Sequence, residues 1–449
     1  MMKANIVSDR GVMYILTRLN ERGYEACLVG GAVRDALRGV VPHDFDMATS
    51  ALPEEILDVF SDCRVIETGI RHGTVTVLYE NVPYEITTYR VDGDYLDNRH
   101  PEGVTFTRSI REDMARRDFT VNAMGCGADG KLIDLFGGEE DLAAGIIRAV
   151  GDPRLRFSED ALRILRALRF ASVLSFRLDA ATAEAVHEKK ALLRGISAER
   201  IRDELQKLIV GVDAEKVLTE YRDVLAVIIP EIAAEYDFYQ HNVHHIYDIY
   251  THTLKAMATL PRDATLRFAA LFHDIGKPGC FFIGEDGQGH FYGHEEKGAE
   301  MTEAILRRLR FDNKTRDKIV TLVRYHGHPV PESDRSVRRL LAAIGEENCF
   351  SLMQIMKADN LALAPMHHNR IAAITEAEKR IQAVLSERAC LSLSGLSLNG
   401  KDLIRAGMRP GKEIGRLLED CLSKVIDGEL PNDRDALLQY AMAELKGKM

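Results

Sequence analysis

The hydrophobic period of the chain changes near residue 150, and that change limits the folds open to it. Before it lie segments of alternating character, HGTVTVLYE (72–80), VPYEITTYR (82–90) and KLIDLF (131–136), which read as strands. After it the period is helical, in RFSEDALRILRALRFASVL (156–174), ISAERIRDELQKLIVG (196–211), KGAEMTEAILRRLR (297–310) and DRSVRRLLAAIG (334–345). A sheet-bearing head followed by helical domains is expected, and 449 residues suffice for roughly two to four domains. No internal repeat or low-complexity tract is found.

Composition works mainly by exclusion. At 46% hydrophobic and 29% charged residues the chain suits a folded soluble protein, and no run reaches the length of a membrane span. The first residues, MMKANIVSDRGVMYILTRLNERGY, read as an amphipathic helix without a signal-peptide core. Seven scattered cysteines with no CxxC pair point to a reducing cytoplasm. The net charge of −10 announces no nucleic acid, so any RNA contact must come from a local basic face.

Residues 28–50 read LVGGAVRDALRGVVPHDFDMATS. Gly30 and Gly31, after a short apolar strand and before a helix, let backbone N–H groups approach an anion, and Arg34 adds a phosphate contact. On a strand, Asp44 and Asp46 would point the same way and repel unless a cation sits between them. Mg²⁺ beside the phosphate is the expected cation, with Glu85 as the third ligand from a neighbouring strand.

Residues 159–170 read EDALRILRALRF. On one continuous helix Asp160 and Arg163, three apart, share a face. A carboxylate only accepts and a guanidinium only donates, so the pair suits the amino donor and ring-nitrogen acceptor of cytosine and adenine. It opposes uracil and guanine. Arg166 and Arg169 continue that face toward phosphates.

Together with RRDFTVNA (116–123), these motifs resemble the class II nucleotidyltransferases that add CCA to tRNA 3′ ends, and the related bacterial poly(A) polymerases. The resemblance is close over about the first 210 residues and returns in SLNGKDLIRAGMRPGKEIG. It implies an α+β head like that of DNA polymerase β, a small mixed sheet with helices, followed by an all-α neck, an all-α histidine-bearing domain and a helical tail. The implied domains are 1–150 (head), 151–235 (neck, nucleotide base and RNA binding), 236–385 and 386–449 (tail, tRNA binding). It also implies that Asp44, Asp46 and Glu85 are catalytic, and that Gly30, Gly31, Arg34, Arg116, Arg117, Asp118, Asp160, Arg163, Arg166 and Arg169 bind nucleotide. Asp118 would accept a hydrogen bond from the ribose 2′-OH. RVDGDYLDNRHPEGVTFTRSI (90–110) looks like the flexible loop that members adding all three nucleotides use to switch from C to A.

Nine of fifteen histidines lie between His241 and His328. Their order, with LRFAALFHDIGKP (266–278) and MKADN (356–360), resembles the HD phosphohydrolases. That resemblance implies His252, His273, Asp274 and Asp359 as metal ligands, with His294 and His326 joining in dinuclear members and His328 as a substitute. Imidazole plus carboxylate suits Mn²⁺, Ni²⁺, Co²⁺ or Fe²⁺, with Mg²⁺ also open. Lys277 is a phosphate contact by its charge.

The expected activity is CCA addition from CTP and ATP, with Mg²⁺ in the head and a metal-dependent phosphodiesterase or phosphatase appended. The partners are the tRNA 3′ end and acceptor stem, with no DNA and no membrane, from a monomer or homodimer. Arg307, Arg308 and Arg310, and Arg335, Arg338 and Arg339, are candidate backbone contacts, each also readable as an ordinary solvated face. Alternatives are poly(A) polymerase, a CC-only or A-only enzyme, and an HD phosphohydrolase whose head only binds RNA.

Overall fold

The computed structural model describes residues 9–42, 44–92, 104–241, 245–368, 370–387 and 389–447. They form two compact units, the first ending at Pro230 and the second beginning at Glu231. Residues 93–103, the centre of the expected switching loop, lie outside the described set. Its described ends pair as antiparallel strands, Arg90–Asp92 with Val104–Phe106.

The first unit opens with the helix Arg10–Glu21, capped by the Asp9 side chain on Val12 N at 3.0 Å. Val12, Ile15, Leu16 and Leu19 recur at helical spacing and are fully buried. They pack with Leu28, Met47, Val75, Val77 and Ile86 into one core on a seven-stranded sheet. The strand order is Arg64–Ile66, Thr74–Tyr79, Val82–Thr88, Asp46–Thr49, Ala26–Val29, Met124–Gly127, Leu132–Asp134. The sheet is mixed, as expected: Asp46–Thr49 runs parallel to Val82–Thr88, and the other pairs are antiparallel. In Val82–Thr88 the residues Tyr84, Ile86 and Thr88 are buried while Glu85 between them is exposed.

Beyond the sheet the unit is helical, and one expectation fails there. Residues 156–174 are not one helix. Pro153–Glu159 ends, Asp160 is extended (φ −133°, ψ 103°), and Leu162–Leu174 begins. The cause is local: an Asp160 oxygen accepts from Leu162 N at 3.0 Å, an alternative to helical continuation. Leu162–Leu174 then packs on Ala198–Ile209, whose Leu208 carbonyl accepts from Ser172 Oγ at 2.8 Å. A Cβ on Gly211 would lie 2.0 Å from that Oγ, so glycine is required for the approach.

The second unit is an all-helical body, apart from a short hairpin of Phe282–Ile283 with Gly289–His290. Its principal helices run from Ile249–Thr259 to Arg370–Ser386. The last three helices, Gly400–Arg405, Lys412–Ile426 and Arg434–Gly447, share a small core around Leu403, Leu417 and Leu437. Among the described residues no helix is long and apolar enough to cross a membrane.

Candidate active site

Ala26–Val29 ends at Gly30, whose φ of 72° and ψ of −133° are open only to glycine, and the helix Gly31–Leu37 follows. A Cβ at Gly30 would also sit 3.2 Å from Arg117 Nη1. This turn forms one wall of a cavity of about 410 Å³ in the first unit. All ten residues expected to bind nucleotide line it, with Asp46, Asn122 and Phe170. Six arginines and three aspartates line it, a wall rich in guanidiniums that suits a phosphate chain.

Those guanidiniums are held in place by side chains that pattern reading gave no role. Asp113, fully buried, accepts from Arg116 Nη2 at 2.9 Å and Arg117 Nη2 at 3.2 Å. Asn122 Oδ1 accepts from Arg34 Nη1 at 2.8 Å, and Glu204 pairs with Arg169 at 2.9 Å. The Phe170 ring lies 5.2, 5.5 and 4.2 Å from the guanidiniums of Arg34, Arg166 and Arg169. Burial lowers Arg169, Glu204 opposes that shift, and the neighbouring Arg166 and Arg34 add to it. These cations are crowded in a way an anion would relieve.

Asp118 is more engaged than expected. One of its oxygens accepts from Phe119 N and Asn122 Nδ2 at 2.8 and 3.1 Å, and the other from Arg166, with Nε at 2.8 Å. All four acceptor positions are taken, so a ribose hydroxyl reaches it only if Arg166 turns away. Burial would raise this carboxyl, but Arg166 and Asn122 outweigh it and hold it below the ordinary value.

Asp160 and Arg163 both reach the cavity, though not from one helical face. Asp160 sits in the break and binds Arg200 at 2.9 Å. Arg163 is held by Glu159 at 2.8 Å and by the Arg116 carbonyl at 2.9 Å.

The carboxylates differ from expectation in one respect. The strand begins at Asp46, so Asp44 precedes it and strand alternation does not align the two. Asp46 and Glu85 are register partners on adjacent strands, which favours a shared cation. Desolvation raises the Asp46 carboxyl, Arg117 pulls it down and Asp44 pushes it up. Among the described residues, Asp44, Asp46 and Glu85 are not gathered as one three-ligand group within 4.8 Å.

The second unit does gather such groups, and both contain Asp274: one with His252 and His273, the other with His294 and His326. Adjacent His273 and Asp274 both turn inward because the helix Ala264–Phe272 has ended before them. His294 opens one helix and His326 follows the end of another. The backbone carbonyls of Ala270, Phe291 and Val323 accept from Nδ1 of His273, His294 and His326 at 2.7, 2.8 and 2.6 Å. A carbonyl only accepts, so Nδ1 donates in each, and Nε2 is the nitrogen that faces inward, where metal ligation needs it. Asp359 Oδ1 lies 2.9 Å from His252 Nε2. Burial alone would lower the His273 imidazole, but Asp274 and Asp359 outweigh it and raise it to about 10. The carboxylates demand a cation at Nε2.

A fifth imidazole, His245, was missed by motif reading. It lies 5.1 Å from the His252 ring, and burial with the Lys277 and His252 charges lowers it to about 3. His328, by contrast, is exposed and turned to the Pro329 carbonyl, outside the cluster. Lys277 is committed to Asp274 at 2.7 Å and Gln240 at 2.8 Å, against its expected role on phosphate. The arginine clusters are also largely engaged. Arg307 pairs with Glu303, Arg308 with Glu231, Arg335 and Arg339 with Asp427, and Arg338 with the Ile426 carbonyl.

Sheet and cationic cavity together define a nucleotidyltransferase head like that of DNA polymerase β, carried on helices. Family models agree: "Poly A polymerase head domain" over residues 26–148, an RNA-binding segment of polymerase A over 175–236, and "tRNA nucleotidyltransferase domain 2" over 296–441. The chain is 33% identical to a CCA-adding enzyme of Leuconostoc mesenteroides, covering 95% of this chain and 94% of that one. It is 34% identical to one of Lactobacillus helveticus, covering 95% of each. Its fold is similar to the crystal structure of the Bacillus stearothermophilus CCA-adding enzyme in complex with CTP, with a TM-score of 0.74, 29% identity and 97% of both chains covered. The chain belongs to the CCA-adding enzyme family.

Proposed function

We propose that this protein adds C, C and A to tRNA 3′ ends from CTP and ATP. The observation that carries the reading is the convergence of six arginines, Arg163 among them, with Asp160 in one cavity. The nucleophile is the tRNA 3′-OH, and pyrophosphate leaves. Arg34, Arg116, Arg117, Arg166 and Arg169 hold the triphosphate and fix its α-phosphate against the incoming hydroxyl. Asp160 and Arg163 select the base, and Arg200 orients Asp160. Asp118 meets the ribose once Arg166 swings to phosphate. Asp44, Asp46 and Glu85, hard oxygen donors, would hold Mg²⁺, which when bound supplies charge neutralisation and a more acidic 3′-OH. The neck and tail bind the acceptor stem mainly through phosphates and 2′-OH groups, in the cytoplasm. The functional domains on this reading are 1–150, 151–235, 236–385 and 386–449.

The histidine cluster is a second site, of the HD phosphohydrolase kind. His252, His273, Asp274 and Asp359, and Asp274, His294 and His326, would hold one or two divalent ions of the Mn²⁺, Ni²⁺, Co²⁺ or Fe²⁺ type, or Mg²⁺. The inward-facing Nε2 atoms, each ring fixed by its Nδ1 donating to a backbone carbonyl, support this. A bound ion there supplies an activated water for phosphoester hydrolysis.

Extension of a tRNA transcript ending at the discriminator base tests the first reading. Three residues from CTP plus ATP, then a stop, lost in Asp44→Ala/Asp46→Ala, is the expected outcome. A long A tail, CC alone or A alone identifies one of the alternatives, and no extension removes the transferase reading.

A further inference from the structure

The histidine cluster forms one side of a cavity of about 350 Å³, and two cationic side chains, Lys277 and Arg370, stand on its wall. They are in opposite states. Lys277 is buried, donates to Asp274 and Gln240, and points its ammonium at the Phe291 ring 5.4 Å away. Its charge is spent inside the protein. Arg370 opens the helix Arg370–Ser386, is half-buried, and meets no acceptor among the described residues. On the same helix Arg380 is paired with Glu376 and Asp334. A guanidinium on a cavity wall with five unused N–H donors, across from a metal-ligand cluster, has the makings of an anion grip.

The shape of that grip discriminates between ligands. A guanidinium fork is satisfied by two oxygens on one phosphorus. A terminal phosphate monoester that gives one oxygen to the cluster keeps two non-bridging oxygens for the fork. A diester, open or cyclic, keeps one. We propose that Arg370 is the phosphate anchor of the histidine cavity and makes it prefer terminal phosphate monoesters over diesters. The proposal rests on reading this cavity as a phosphoester site, and its test separates the two.

The full chain is used, with inorganic phosphate as the probe, by calorimetry with and without Mn²⁺. Variants are Arg370→Ala, Arg370→Lys and, as a control, Arg380→Ala. Phosphate binding is expected to weaken roughly tenfold or more in Arg370→Ala, less in Arg370→Lys, and not in Arg380→Ala. With Mn²⁺, p-nitrophenyl phosphate and bis(p-nitrophenyl) phosphate are then compared. Arg370→Ala should raise KM for the monoester far more than for the diester. Phosphate that does not bind the unaltered chain, binds Arg370→Ala equally well, or an equal loss on both esters, overturns the anchor. If hydrolysis is absent but phosphate binding still depends on Arg370, the anchor stands and the hydrolase reading falls. If hydrolysis proceeds unchanged in Arg370→Ala, the reverse holds.

Discussion

Asp118 and Phe170 show what single residues do in this protein that a motif does not state. RRDFT marks Asp118 as polar and functional, but not that four donors already occupy it. Its folded-state carboxyl lies below the ordinary aspartate value, so its stabilisation is fully present above the unfolded value near pH 4 and is lost as pH falls through the folded one. Urea unfolding of the full chain should therefore show the first unit losing stability below about pH 4. Asp118→Asn should start about 2–4 kcal/mol less stable at pH 7, with a flatter acid slope, because Arg166 is left without its buried partner. Phe170 closes the motif EDALRILRALRF, and nothing in the motif singles it out. Only the fold reveals three guanidiniums stacked around it, since Arg34 is 136 positions away in sequence. Asn122 was invisible for the same reason, its partner Arg34 lying 88 positions away, whereas Asp113 pairs with Arg116 and Arg117 at the i+3 and i+4 spacing of a helix.

At the scale of elements, periodicity located nearly every helix and strand quoted from the sequence, and failed where a side chain competes with the backbone. EDALRILRALRF has an unbroken helical period, yet Asp160 ends the first helix and its side chain accepts from Leu162 N at the start of the second. Asp160, in that break, and Arg163, just beyond it, both line the cavity, and Arg200 pairs with Asp160. Arg200→Ala should leave Asp160 free to swing and lower selection of CTP over UTP several-fold in single-turnover extension, with Arg200→Lys restoring part of it. The clustered histidines follow a similar rule. Their order was legible, but their convergence depends on helices ending at Phe272 and Tyr325 and starting at His294. The basic clusters went the other way: charge runs that suggested RNA contacts are largely taken by acidic partners such as Asp427.

Across the whole molecule, a net charge of −10 coexists with a cavity lined by six arginines, so cationic side chains are concentrated locally rather than spread globally. Each unit carries its own site, built from its own residues. The sites should therefore fail separately. His273→Ala/Asp274→Ala should abolish Mn²⁺ binding measured by calorimetry while tRNA extension with Mg²⁺ persists. Asp44→Ala/Asp46→Ala should do the opposite. Joint loss in either variant would show that the two sites depend on each other.

On the proposed function one pair of side chains, Asp160 and Arg163, reads both bases. The decisive experiment is single-turnover extension with CTP, ATP, UTP and GTP, in Asp160→Ala and Arg163→Ala separately. Selection of CTP over UTP and of ATP over GTP is expected to fall together in each variant, by about tenfold or more. Selection lost for one base and kept for the other, or kept for both, would contradict it.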